Sequence, residues 1–289
     1  TIYMNLLKET KFIMNKYNIV ANKGYGQNFL IDENIVNEIV EKATVCKDDL
    51  IIEIGPGLGN LTLPLLEHAG KVICIELDPK MIKVLTDRFN MYDNFQLINK
   101  DVLEVDLNEI INNSGFKSAK VVANLPYYIT TPIIMKLLED RLNLENITVM
   151  VQKEVAERLT EEPGGKETGA ITYTINYYTN PEIVINVPKE SFVPSPKVDS
   201  SVIKLDVLRT PKINVSSEEL FFKIIKFAFM QKRKTLVNSL SNSGLENKDF
   251  LEKMLAQLNL DSRIRAEQLT LEDFKNITEY IQKNKVLRF

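Results

Sequence analysis

The chain has 289 residues, 44% of them hydrophobic, with 36 Lys and Arg against 39 Asp and Glu for a net charge of −3. This is the composition of a globular protein able to bury a full core, and the apolar runs are far too short to span a membrane. One histidine and two well-separated cysteines, Cys46 and Cys74, exclude a histidine-based zinc site and a Ser–His pair. No metal is expected, and a buried free thiol with no leader pattern implies a cytoplasmic protein.

From the N-terminus, the first 20 residues read as a peripheral helix or a mobile arm. Asp32 is placed to cap a helix whose apolar positions Ile35, Val36, Ile39, Val40 and Ala43 recur at helical spacing. Short apolar runs follow at Leu50–Ile54, Val72–Glu76, Phe95–Asn99, Val121–Asn124 and Ile147–Val151, separated by lengths suited to crossover helices. The pattern predicts a doubly wound, mostly parallel α/β sheet. Ile183–Val187 and Val202–Val207 predict an antiparallel pair closing one edge, and Pro163-Gly164-Gly165-Lys166 a flexible loop in this first part. Beyond Pro211, helical periodicity at Leu220–Ala228, Phe250–Leu258 and Leu271–Ile281 predicts a small all-α domain. The expected domains are residues 1–210 and 211–289.

Charge is unevenly spread. Residues 1–30 carry +3, residues 31–208 carry −11 and residues 209–289 carry +5. Lys223, Lys226, Lys232, Arg233 and Lys234 fall in a stretch without an acid. Because screening hides charge beyond about 8 Å, a basic end can bind a polyanion locally, although such a run can equally be a solvated helix face.

Glu53-Ile54-Gly55-Pro56-Gly57-Leu58-Gly59-Asn60 ends the first strand of the sheet. A dinucleotide fingerprint would place its third glycine at position 60, where this chain has Asn60, so the loop suits a nucleoside without a pyrophosphate. Glu76 ends the next strand, where a carboxylate can accept ribose hydroxyls. Asp101 follows the third and can accept from an adenine amine, and Asn124 ends the fourth. These positions converge on the crevice where open α/β sheets bind ligands. Asn124-Leu125-Pro126-Tyr127 itself suits a flat heterocycle with an exocyclic amine. The Asn124 oxygen and the Leu125 carbonyl can accept the amine hydrogens, Pro126 brings no competing N–H, and Tyr127 can stack. A strand-end turn with a core tyrosine is the plainer alternative for these four residues.

Gly26-Gln27-Asn28-Phe29-Leu30, the glycine loop, Asn124–Tyr127, Phe192-Val193-Pro194-Ser195-Pro196-Lys197-Val198-Asp199-Ser200 and Gln231-Lys232-Arg233-Lys234-Thr235-Leu236 occur in this order. In these motifs the chain resembles the rRNA adenine N6,N6-dimethyltransferases, most closely the bacterial KsgA-type branch that acts on small-subunit (16S) rRNA. The resemblance implies a Rossmann-like class I fold and S-adenosylmethionine as methyl donor, with S-adenosylhomocysteine as product. It implies two adjacent adenosines near the 3′ end of the rRNA as substrate, within a pre-30S particle; the sequence itself gives no reason to expect an oligomer, so a monomer is expected. It assigns donor contacts to Asn28, Leu30, Gly55, Glu76, Asp101 and Asn124, with Gly57 and Gly59 shaping the loop. Tyr127 and Phe192 would sandwich a flipped-out target base, and Lys153, Lys197, Lys232, Arg233 and Lys234 are the candidate phosphate contacts. Three other readings are weighed against this one: a large-subunit rRNA methyltransferase of the antibiotic-resistance type, a non-catalytic RNA- or DNA-binding factor of the same fold, and a nicotinamide oxidoreductase. Asn60 and the lack of proton-relay residues disfavour the last.

Overall fold

A computed structural model describes residues 5–286. The apolar runs become strands because each is short and bounded by turn residues, and most are rich in β-branched residues. In chain order they are β1 (Phe29–Leu30), β2 (Leu50–Ile54), β3 (Lys71–Glu76), β4 (Phe95–Asn99), β5 (Ala119–Asn124), β6 (Leu144–Gln152), β7 (Thr179–Val187), β8 (Phe192–Val193) and β9 (Ser200–Val207). Seven form one sheet in the order β4-β3-β2-β5-β6-β9-β7, while β1 and β8 form a separate antiparallel pair. Strand β2 lies parallel between β3 and β5, with Ile52 opposite Ile73 on one side and Val121 on the other. Strands β4 and β6 extend the parallel set, and β9 runs antiparallel to β6 with Val149 opposite Ile203.

All five residues of β2 are buried. A strand buried on both faces needs cover on both, which crossover helices supply. One is Pro79–Phe89, where Asp78 accepts from the Lys80 N–H and proline occupies a first-turn position that needs no N–H. The sheet is thus the doubly wound, Rossmann-like kind that the run spacing predicts. Chain order moves outward from β2 through β3 to β4, then returns past β2 to β5 and β6. That reversal opens a crevice at the carboxyl ends of β2 and β5.

The N-terminal segment takes the helical alternative, over Leu6–Lys16. It is tied down by buried Thr10 and Ile13, a 3.1 Å pair between Glu9 and Arg88, and a Tyr17 hydroxyl donating to Asp87 at 2.8 Å. Asp32 caps Glu33–Lys42 by accepting from the N–H groups of Asn34 and Ile35.

The chain forms two compact units, one of Thr1–Glu157 with Pro181–Val207 and the other of Arg158–Asn180 with Leu208–Phe289. A single cut near residue 210 does not describe them, and the Pro163–Lys166 loop lies in the second unit. The cause is the helix Ala170–Tyr178, in which seven of nine residues are buried. Tyr173 and Tyr177 share a core with Phe221, Leu251 and Phe274, and the Tyr173 hydroxyl donates to the carbonyls of Ala266 and Leu269. The other helices of this unit include Glu218–Phe229, Leu236–Asn242, Lys248–Gln257 and Leu271–Val286. Among the described residues no helix is long and apolar enough to cross a membrane.

Candidate active site

The crevice lies wholly in the first unit and encloses about 970 Å³, counting space open to solvent. Its floor is the glycine loop after β2. Gly55 (φ +65°) donates its N–H to the Ile75 carbonyl at 2.9 Å, and a side chain there would lie 3.6 Å from the ring of Pro126. Gly57 (φ +58°) donates to Glu76 Oε1 at 3.0 Å, and a side chain would meet the Phe29 ring at 3.3 Å. Both backbones need the left-handed region and lie bare toward the crevice, which glycine permits. Gly59 differs. A Cβ there would run into the Phe89 ring, so its bareness lets the helix Pro79–Phe89 pack against the loop, and it does not line the crevice.

Acidic and amide groups stand at the strand ends. Glu76 is buried, and its second oxygen accepts from the Asp78 N–H at 2.9 Å. Burial raises its pKa, partly offset by the N–H groups of Asp78 and Gly57. Asp101 lines the crevice and caps the turn Val102–Glu104, accepting from the Leu103 N–H at 3.0 Å. Asn124 donates through Nδ2 to the Asn28 carbonyl at 3.3 Å. This fixes the amide so that its Oδ1 is the side free for a ligand. Leu125 is anchored by its N–H on the Met150 carbonyl, with its side chain buried. Tyr127 is half-buried, with its hydroxyl 2.7 Å from Ser200 Oγ; burial raises its pKa and the Ser200 bond opposes that.

The structure therefore gathers Asn28, Leu30, Gly55, Gly57, Glu76, Asp101 and Asn124–Tyr127 around one crevice. It does not bring Phe192 there, which corrects the expected base sandwich. Phe192 is 2% exposed, pairs with Leu30 across the β1–β8 ribbon, and packs in the core with Val36, Ile185 and Val202. A ring between apolar surfaces gains more from burial than from facing water, so β8 turns it inward.

Among the crevice residues without a role from sequence, Tyr128 and Glu53 stand out. Tyr128 is 53% exposed on the wall, its ring lying over the backbone of Gly26. Glu53 is fully buried, and burial pushes its pKa up to about 7 against hydrogen bonds from Thr62 and Cys74. The one signal for Glu53 in the sequence is a lone acid in the strand Leu50–Ile54.

The basic candidates fall in two places. Lys153 and Lys197 are exposed in the first unit, and the Lys153 N–H bonds to the Asp199 carbonyl. Lys232, Arg233 and Lys234 form an exposed turn ahead of Leu236–Asn242, rather than a helix face, and make no ion pair among the described residues.

A doubly wound parallel sheet, a glycine loop with Asn60 where a dinucleotide fingerprint has its third glycine, and strand-end acceptors for a nucleoside define a class I methyltransferase of the S-adenosylmethionine-dependent kind. The bare, left-handed Gly55 and Gly57 beside Glu76 fit an adenosine carrying a short chain. The chain matches the family of ribosomal RNA adenine dimethylases over residues 18–283 and belongs to it. It is 45% identical over 278 residues to the ribosomal RNA small subunit methyltransferase A of Alkaliphilus oremlandii, covering 96% of this chain and 97% of the relative. Among solved structures it resembles a dimethyladenosine transferase from Plasmodium falciparum, with a TM-score of 0.71, 27% identity, and 88% of this chain and 97% of the other covered. It also resembles the 23S rRNA methyltransferase ErmE, with a TM-score of 0.67, 25% identity, and 88% and 100% covered.

Proposed function

We propose that this enzyme dimethylates N6 of two adjacent adenosines in a loop near the 3′ end of small-subunit (16S) rRNA, during assembly of the small subunit. The observation that carries the reading is the meeting of Asn124–Tyr127 with the Gly55–Gly57 cradle, Glu76 and Asp101 in one crevice. S-adenosylmethionine, when bound, supplies a methyl group activated by its sulfonium charge. Glu76 and Asp101 would hold its ribose and adenine, and Asn28, Leu30 and the Gly55–Gly57 backbone its remaining length.

Adenine N6 is a weak nucleophile because its lone pair is delocalised into the ring. The Asn124 oxygen and the Leu125 carbonyl accept its hydrogens, favour a pyramidal nitrogen and aim the lone pair. Positioning and fixed dipoles then supply the acceleration, and no strong base is needed because the nitrogen loses its proton only after it has been methylated. Tyr127 forms the aromatic wall for the flipped-out base. In the second round N6 carries a methyl, so only one of the two acceptors can still be engaged. Lys153, Lys197 and the Lys232–Lys234 turn would contact phosphates and position the RNA without reading its sequence. The second unit would recognise RNA shape, and the enzyme would act as a cytoplasmic monomer.

The small-subunit target rests on 45% identity to a small-subunit enzyme over nearly the whole chain, against 25% to the large-subunit one. Purified enzyme, labelled donor and undermethylated small subunits are expected to yield dimethyladenosine. Label entering only large-subunit rRNA would overturn the substrate, and no transfer to any RNA would favour a binding factor.

A further inference from the structure

We infer that Asn60 holds the ammonium group of the methyl donor through its side-chain oxygen, an inference that rests on the donor reading above. Asn60 is 8% exposed and lines the crevice at the far end of the glycine loop. Its Nδ2 donates to the Leu30 carbonyl at 2.8 Å and to Thr10 Oγ1 at 2.9 Å. Chemistry fixes this orientation of the amide. The Leu30 carbonyl can only accept, and the Thr10 hydroxyl commits its own proton to the Leu6 carbonyl at 2.7 Å. Both partners require a donor, so the nitrogen must face them. The oxygen is then left buried with no donor among the described residues.

Buried acceptors are seldom left without a partner, and here the open one belongs to the wall of a binding crevice. A ligand group that supplies N–H donors satisfies it. Glu76 and Asp101, at the ends of β3 and β4, serve the nucleoside end. Asn60 follows β2 and is bonded to Leu30, so it belongs with the N-terminal segment whose Asn28 carbonyl receives Asn124. The donor's remaining N–H group is its α-ammonium, with three hydrogens and a charge that strengthens each bond. Glu53 lies in the same wall and is bonded to Thr62, two residues beyond Asn60. Asn60 thus does more than break a dinucleotide fingerprint. It exchanges a bare approach for an oriented acceptor.

Calorimetric titration with two ligands tests this. S-adenosylhomocysteine carries the ammonium; 5′-methylthioadenosine lacks the amino-acid portion. Asn60→Ala is expected to weaken S-adenosylhomocysteine by about ten- to a hundredfold and methylthioadenosine by less than about twofold. Asn60→Asp keeps an acceptor but loses both N–H donations, so it should retain the preference for S-adenosylhomocysteine even where its melting temperature falls. Equal weakening of both ligands by Asn60→Ala would overturn the inference and leave Asn60 as a tie between the loop, Leu30 and Thr10. If Asn60→Ala does not fold, loss of the preference in Asn60→Asp overturns it instead. If the unaltered enzyme binds neither ligand, the donor reading itself fails.

Discussion

The crevice and the basic turn bind in opposite ways. In the crevice three groups are already held by other parts of the chain: Asn124 by the Asn28 carbonyl, Glu76 by the Gly57 and Asp78 N–H groups, Tyr127 by Ser200. Lys232, Arg233 and Lys234 are exposed and make no ion pair among the described residues. Fixed groups discriminate by single atoms, because their ordering entropy is spent on folding. Exposed cations act through number and field, which salt erodes. Removing one crevice atom should therefore cost far more than removing one cation.

The sharpest test is Asn124→Ala. It should lower turnover by about a hundred- to a thousandfold, the scale for one oriented dipole at a reacting centre, while calorimetry still detects S-adenosylhomocysteine. Full turnover in this variant would remove Asn124 from the reaction and with it the contrast.

Glu53 tests how far the crevice is strained in the absence of ligand. Its pKa is raised by burial to about 7 in the folded chain. Between its unfolded value and pH 7 the folded state therefore holds a proton that the unfolded state has released, so stability falls as pH rises through this window. The fall amounts to roughly 3 kcal/mol across pH 5 to 8. Denaturant melts of the ligand-free protein should show Glu53→Gln gaining on the unaltered chain by about this much. Parallel pH profiles for the two proteins would mean that Glu53 is ionised throughout.

Gly59 marks where the crevice ends and the core begins. Gly59→Ala should cost about 1–3 kcal/mol by forcing a carbon into Phe89 and straining a φ of +93°. Donor affinity of the fraction that remains folded should be nearly unchanged. A selective loss of donor binding at full stability would return Gly59 to the binding site.

Much of the crevice is legible in the sequence because polar residues there end apolar strands. Glu76, Asp101 and Asn124 break β-rich runs at the position where a parallel sheet opens to ligand, and topology brings such ends together. Phe192 was not legible, because an aromatic beside prolines reads alike whether its ring faces the core or a ligand; only its pairing with Leu30 decides. Ala170–Tyr178 hid for a related reason. It is buried on nearly every side, yet Ile171 to Tyr177 alternate apolar and polar residues and show no helical period, so the second unit's claim on residues 158–180 left no mark. The spare oxygen of Asn60 depends on where the Thr10 proton goes, a fact of three-dimensional bonding.

The smallest expected effect falls on the basic turn, and it is diagnostic through its dependence on salt. Replacing Lys232 and Arg233 with alanine should weaken RNA binding only several-fold near physiological salt. For each phosphate left without its cation, the slope of log affinity against log salt should also become shallower by about 0.7 on single-stranded RNA. Turnover at saturating RNA should hold, because neither side chain belongs to the crevice. An unchanged slope would make the turn a solvated surface and transfer polyanion binding to Lys153 and Lys197. A fall in saturated turnover would mean instead that the turn orients the target base, and the division between fixed discrimination and diffuse attraction would no longer follow the two regions.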